Sequence, residues 1–93
     1  MEKVGVWKMK VFVFTDVWQC DSGECGSTTK VFSTFEKAQR CLEEAMETAK
    51  QDFSGFETEE TEYVKGDMAY SIWEAGEYCY NHIDLTIQEL EIE

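Results

Sequence analysis

Apolar residues recur at Phe35, Ala38, Leu42, Ala45, Ala49 and Phe53, with Cys41 and Met46 beside them. This alternation of three and four is the spacing of a single buried stripe on a helix. It predicts one long helix from about Thr34 to Phe53. Ser33 stands three residues ahead of Glu36, the pattern of a capping box in which hydroxyl and carboxylate each satisfy a free backbone N–H. Gly55 lies just beyond the stripe, where a left-handed residue ends a helix at little cost.

The flanking segments have the two-residue period of strands. Trp7, Met9, Val11, Val13, Thr15 and Val17 share one face, opposite Lys8, Lys10, Phe12, Phe14, Asp16 and Trp18. Both faces become apolar around Val11 to Phe14, so this strand is expected at the centre of a sheet. Residues 19–27 (QCDSGECGS) read as a hairpin loop, and Thr28 to Phe32 as the strand that returns to the helix start. After the helix, residues 56–62 (FETEETE) predict a loop or a ragged edge strand wet on both faces. Lys65, Gly66 and Asp67 predict a turn, Met68 to Glu74 a strand, and Ala75 with Gly76 a second turn.

The last strand sets Cys79, Asn81, Ile83, Leu85 and Ile87 against Tyr78, Tyr80, His82, Asp84 and Thr86. Its apolar phase then slips to Leu90 and Ile92, which predicts a bulge near Gln88 and Glu89. The pattern therefore describes one α+β domain over residues 1–93. It opens ββα, continues with two or three strands, and forms one mainly antiparallel sheet with a single long helix on one face.

Charge changes what this fold is expected to meet. The net charge is −12, and residues 1–32 balance four acids with four bases, so the excess lies in the remainder, sixteen acids against four bases. Such a surface repels phosphate backbones and anionic lipid, and it admits a basic protein partner. Residues 1–10 lack the continuous apolar core of a secretory signal, and no run reaches the length that spans a bilayer, so a cytoplasmic protein is expected. In that compartment Cys20, Cys25, Cys41 and Cys79 are expected as thiols.

Candidate chemistry is sparse. Cys20 and Cys25 flank an acidic loop, CDSGEC, which allows a metal-binding or redox pair. Two ordinary loop thiols are the simpler reading, and Cys41 is explained as a small core residue beside the stripe. His82 is the only histidine. In a regular strand it faces away from Cys79 and shares a face with Asp84, so an oriented structural imidazole is expected rather than a thiolate pair. The sequence contains no EF-hand loop, phosphate-cradling glycine loop, nucleophile elbow or metalloprotease motif. The expectation is a binding module with no catalytic residues, cofactor or metal.

The partner-binding candidates are of two kinds. Glu57, Glu59, Glu60 and Glu62 are expected to join Glu43, Glu44 and Glu47 of the helix in one acidic patch that imitates phosphates. The aromatic surplus, with Trp18, Trp73, Tyr78 and Tyr80 on strands, exceeds what one helix covers and points to a protein interface. Self-association through a sheet face or edge is the alternative to a basic partner, with a second small core under the loops as the plain explanation.

The segments VFSTFEKA and WEAGEYCYNHIDLTIQELEI resemble short proteins of gut Bacteroidetes and their phages or mobile elements, a group without an assigned activity. The shared pieces fall at Lys10 to Val13, Val31 to Ala38, Gly76 to His82 and Ile83 to Glu89. The resemblance implies no chemistry. A mobile-element setting implies an acidic decoy that blocks a nucleic-acid-binding host protein, by analogy alone.

Overall fold

The computed structural model describes residues 9–19, 25–55, 57–75 and 81–92. The elements run β1 (Met9–Gln19), β2 (Cys25–Phe32), α1 (Phe35–Asp52), β3 (Thr58–Glu60), β4 (Ala69–Glu74) and β5 (His82–Ile92). The strands form one sheet in the order β2-β1-β5-β4-β3, antiparallel at every junction. The fold is thus α+β: a ββα opening, three further strands, and one helix against one face of the sheet. β1 is interior as expected, although the middle position belongs to β5.

Strand register divides the side chains between two faces. Phe14 lies opposite Ile87 and Lys30, and Tyr70 opposite Leu85. This places Phe12, Phe14, Ile83, Leu85, Ile87, Tyr70 and Ile72 beneath the helix. Ala38, Leu42, Ala49 and Phe53 of the predicted stripe close over them, with Phe35, Cys41, Ala45 and Met46 packed at the margin. Phe12 meets Phe35 edge-on, with ring centroids 5.8 Å apart. Burial of the stripe is what holds the helix to the sheet.

The helix start differs from the capping-box expectation. The N-cap is Thr34, one residue later than Ser33, and its hydroxyl accepts from the Lys37 N–H at 3.3 Å. Thr34 carries the extended backbone (φ −134°) that a cap requires. With the frame shifted by one, Lys37 holds the position a capping box reserves for a carboxylate. At the other end the Phe53 N–H closes on Ala49 O and the Ser54 N–H on Gln51 O, and Gly55 turns the chain at φ +92°.

Two strand expectations are also corrected, and a third is met. β2 begins at Cys25, so residues 25–27 pair with Gln19, Trp18 and Val17 instead of belonging to the loop. The Glu-rich segment contributes a three-residue edge strand, β3, matching the ragged edge predicted for it. The bulge near Gln88 and Glu89 is absent, because β1 and β5 keep one unbroken register from Gln19↔His82 to Met9↔Ile92. Leu90 and Ile92 therefore lie on the face opposite the helix, not in the core. Gly76 of the expected second turn and the facing of Tyr78, Cys79 and Tyr80 lie outside the described residues.

Candidate partner-binding site

The segment after β3 carries Tyr63 back to the helix. A turn fixes its path: Gly66 takes φ +105°, the Asp67 N–H reaches Val64 O at 2.9 Å, and Asp67 Oδ2 accepts from the Val64 N–H at 2.8 Å. Tyr63 then meets Tyr70 of β4 edge to face, with centroids 6.4 Å apart. Each hydroxyl holds a carboxylate. Tyr63 Oη donates to Glu43 Oε2 at 3.1 Å, and Tyr70 Oη donates to Glu60 Oε2 at 2.8 Å. Gln39, buried on the helix, completes the chain by donating to Tyr63 Oη at 3.3 Å.

Electrostatics follow from this arrangement. Burial holds the Tyr70 hydroxyl protonated well above its usual range, reinforced by its bond to Glu60 and by the charges of Glu60 and Glu47. Burial likewise raises Tyr63, with the bond from Gln39 opposing and the bond to Glu43 adding to the rise. Lys50 lies over the Tyr70 ring at 6.0 Å from its centroid. Among the described residues, an ion pair joins Lys10 to Glu89, and the His82 imidazole contacts Asp84. None of Glu43, Glu47 and Glu60 has an ion-paired cation among the described residues.

The expected acidic patch is only partly assembled. Glu43 and Glu60 meet at the Tyr63 and Tyr70 pair through their hydroxyl bonds, exposed Glu47 reaches Tyr70 only through its charge, and Glu44 is exposed on the helix. Glu59 lies opposite Trp73 in the ladder and points to the other face of the sheet, since neighbours in a strand alternate. Glu57 and Glu62 are exposed at either side of β3.

The aromatic candidates divide as well. Trp18 faces the helix side, its indole resting on Gly26, where an added Cβ would run into the ring. Trp73 faces away and meets the His82 ring edge-on at 6.2 Å. Tyr78, Tyr80 and Cys20 lie outside the described residues. Among the described residues, the face opposite the helix carries Trp73, and its most exposed large side chains are the aliphatic Met9, Val17, Val31, Leu90 and Ile92.

Two further groups bear on chemistry. His82 Nε2 lies 3.3 Å from Asp84 Oδ1, and Ser71 Oγ donates to the same oxygen. Asp84 therefore stands between serine and imidazole, an order in which the imidazole cannot take the serine proton. At the helix C-terminus a cleft of about 410 Å³ is lined by Asp16, Trp18, Asp52, Phe53, Asn81 and Ile83, among others. Asp16 Oδ1 is enclosed there without a hydrogen-bond partner, and its carboxyl is raised first by burial and then by the charge of Asp52. Cys25 is an exposed strand thiol and Cys41 a half-buried one raised by burial. Among the described residues no three His, Cys, Asp or Glu side chains converge as for a metal, and no helix is long and apolar enough to cross a membrane.

Sequence reasoning missed Gln39, Tyr63 and Tyr70 as organisers of the acidic group. The available signal was Gln39 itself, a polar residue between Ala38 and Leu42 on the dry side of the helix, which requires a partner. Compared with known proteins, the chain matches no family model, no curated protein and no solved structure.

Proposed function

We infer that this chain is a small acidic protein-binding module of the cell interior. It docks a basic, nucleic-acid-binding partner by presenting carboxylates where that partner expects phosphates. The observation that carries this reading is that Glu43 and Glu60, held by Tyr63 and Tyr70 with the charge of Glu47 reaching Tyr70, have no ion-paired cation among the described residues. Hydroxyl donors orient Glu43 and Glu60, so less side-chain entropy is lost when a lysine or arginine arrives. The net charge of −12 adds long-range attraction that raises the encounter rate. The role is binding rather than catalysis, and it needs no cofactor.

Affinity capture from a cell lysate tests the reading. The captured protein is expected to be basic and to be released by competing duplex nucleic acid at low salt. Retention of the same protein in the presence of excess nucleic acid contradicts phosphate mimicry.

A further inference from the structure

The last strand turns its apolar side over without a break in pairing. Up to Ile87 the dry residues of β5 face the helix; beyond it Glu89 and Glu91 take that side, and Leu90 and Ile92 occupy the opposite one. Lys10 and Glu89 form an exposed ion pair at 3.5 Å on the helix side, so that side is wet at this end of the sheet. On the opposite side Leu90 pairs with Val11, Ile92 with Met9, and Val13 with Val31. Met9 is 61% exposed, Val31 62%, Ile92 50% and Leu90 41%. Polarity here is inverted relative to the helix-covered part, the pattern of a surface dried from the other side.

That surface also lacks charge. On the face away from the helix, β1 shows Met9, Val11, Val13, Thr15, Val17 and Gln19, and β2 shows Cys25, Ser27, Thr29 and Val31. The acids on that face are Asp84 of β5, already engaged by Ser71 and His82, and Glu59 on the far edge strand β3, away from this patch.

We propose that this face is the interface of a homodimer, in which two copies pack sheet against sheet with their helices outermost. A basic partner finds no carboxylate to recognise on the β1 and β2 part of this face. A second acidic copy meets here the surface of least repulsion, with the Glu43, Glu47 and Glu60 group carried to the outside of the pair. The area suffices. Strands of 11, 8 and 11 residues, at about 3.3 Å rise and about 4.8 Å spacing, offer roughly 500 Å² of sheet plane per copy, so on the order of 1,000 Å² leaves water. Two such sheets stack about 10 Å apart, in the manner of a sandwich. This proposal is independent of the acidic-partner reading, and salt moves the two in opposite directions.

Sedimentation of the full chain at micromolar concentration tests it. A dimer is expected, and added salt strengthens it by screening the repulsion between two chains of −12. Leu90→Lys with Val31→Lys is expected to give a monomer that keeps its circular dichroism; Leu90→Thr with Val31→Thr, which retains strand propensity, weakens association about tenfold or more. A parent chain that stays monomeric at low and high salt overturns the proposal and leaves the face to another partner. Undiminished association of the threonine variant overturns it in favour of edge pairing.

Discussion

Tyr63 Oη spans from the helix to the post-β3 segment by donating to Glu43 Oε2 at 3.1 Å while accepting from the Gln39 amide at 3.3 Å. Gln39 is only 7% exposed, so its amide depends on this bond. Tyr63→Phe removes both bonds and leaves a buried donor unsatisfied, which costs about 1–3 kcal/mol. Urea unfolding at neutral pH is expected to show a lower midpoint with an unchanged slope. An unchanged midpoint would mean that Gln39 reaches water and that Glu43 needs no tyrosine to hold it.

The cap assignment separates two adjacent residues. Thr34→Ala removes the acceptor for the Lys37 N–H and is expected to lower stability by about 1 kcal/mol. Ser33→Ala is expected to stay within about 0.5 kcal/mol of the parent chain. Thermal melting of both variants checks this, and the reverse order would restore the capping box at Ser33.

Asp16 works against the folded state at neutral pH. Its carboxyl is raised above the ordinary 3.8, by burial and then by Asp52, so the unfolded chain releases this proton first and stability falls as pH climbs past that value. Below it both states hold the proton and the penalty vanishes. Asp16→Asn is expected to be more stable than the parent at pH 7 and to lose that advantage on acidification to 3.8 and below. Urea midpoints across this range check it; an advantage that does not change with pH would place the effect in packing rather than in charge.

How far the sequence discloses the molecule depends on the range of the interactions. The helix is legible because its stripe repeats at the helical period, and the core faces of β1, β4 and β5 are legible from alternation. Ser33 and Thr34 are both able to cap, and only the backbone at Thr34 decides between them. The slip to Leu90 and Ile92 reads equally as a bulge or as an inversion of polarity, and the unbroken pairing with Val11 and Met9 selects the inversion. The Glu43 and Glu60 group is illegible in part, because it depends on how residues 61–67 route Tyr63 to the helix. Strand alternation alone, with Glu59 opposite Trp73, already divides the Glu57 to Glu62 run between two faces.

The salt response of partner capture reads out the role of Glu43, Glu47 and Glu60. The parent chain and a Glu43→Gln, Glu47→Gln, Glu60→Gln variant, each with its fold verified by circular dichroism, are compared as baits at low and high salt. The parent is expected to capture a basic protein at low salt and to release it at high salt, and the triple variant to bind it about tenfold or more weakly. Capture that survives both the salt and the three glutamines would contradict that role, because binding would then rest on contacts that these carboxylates do not make.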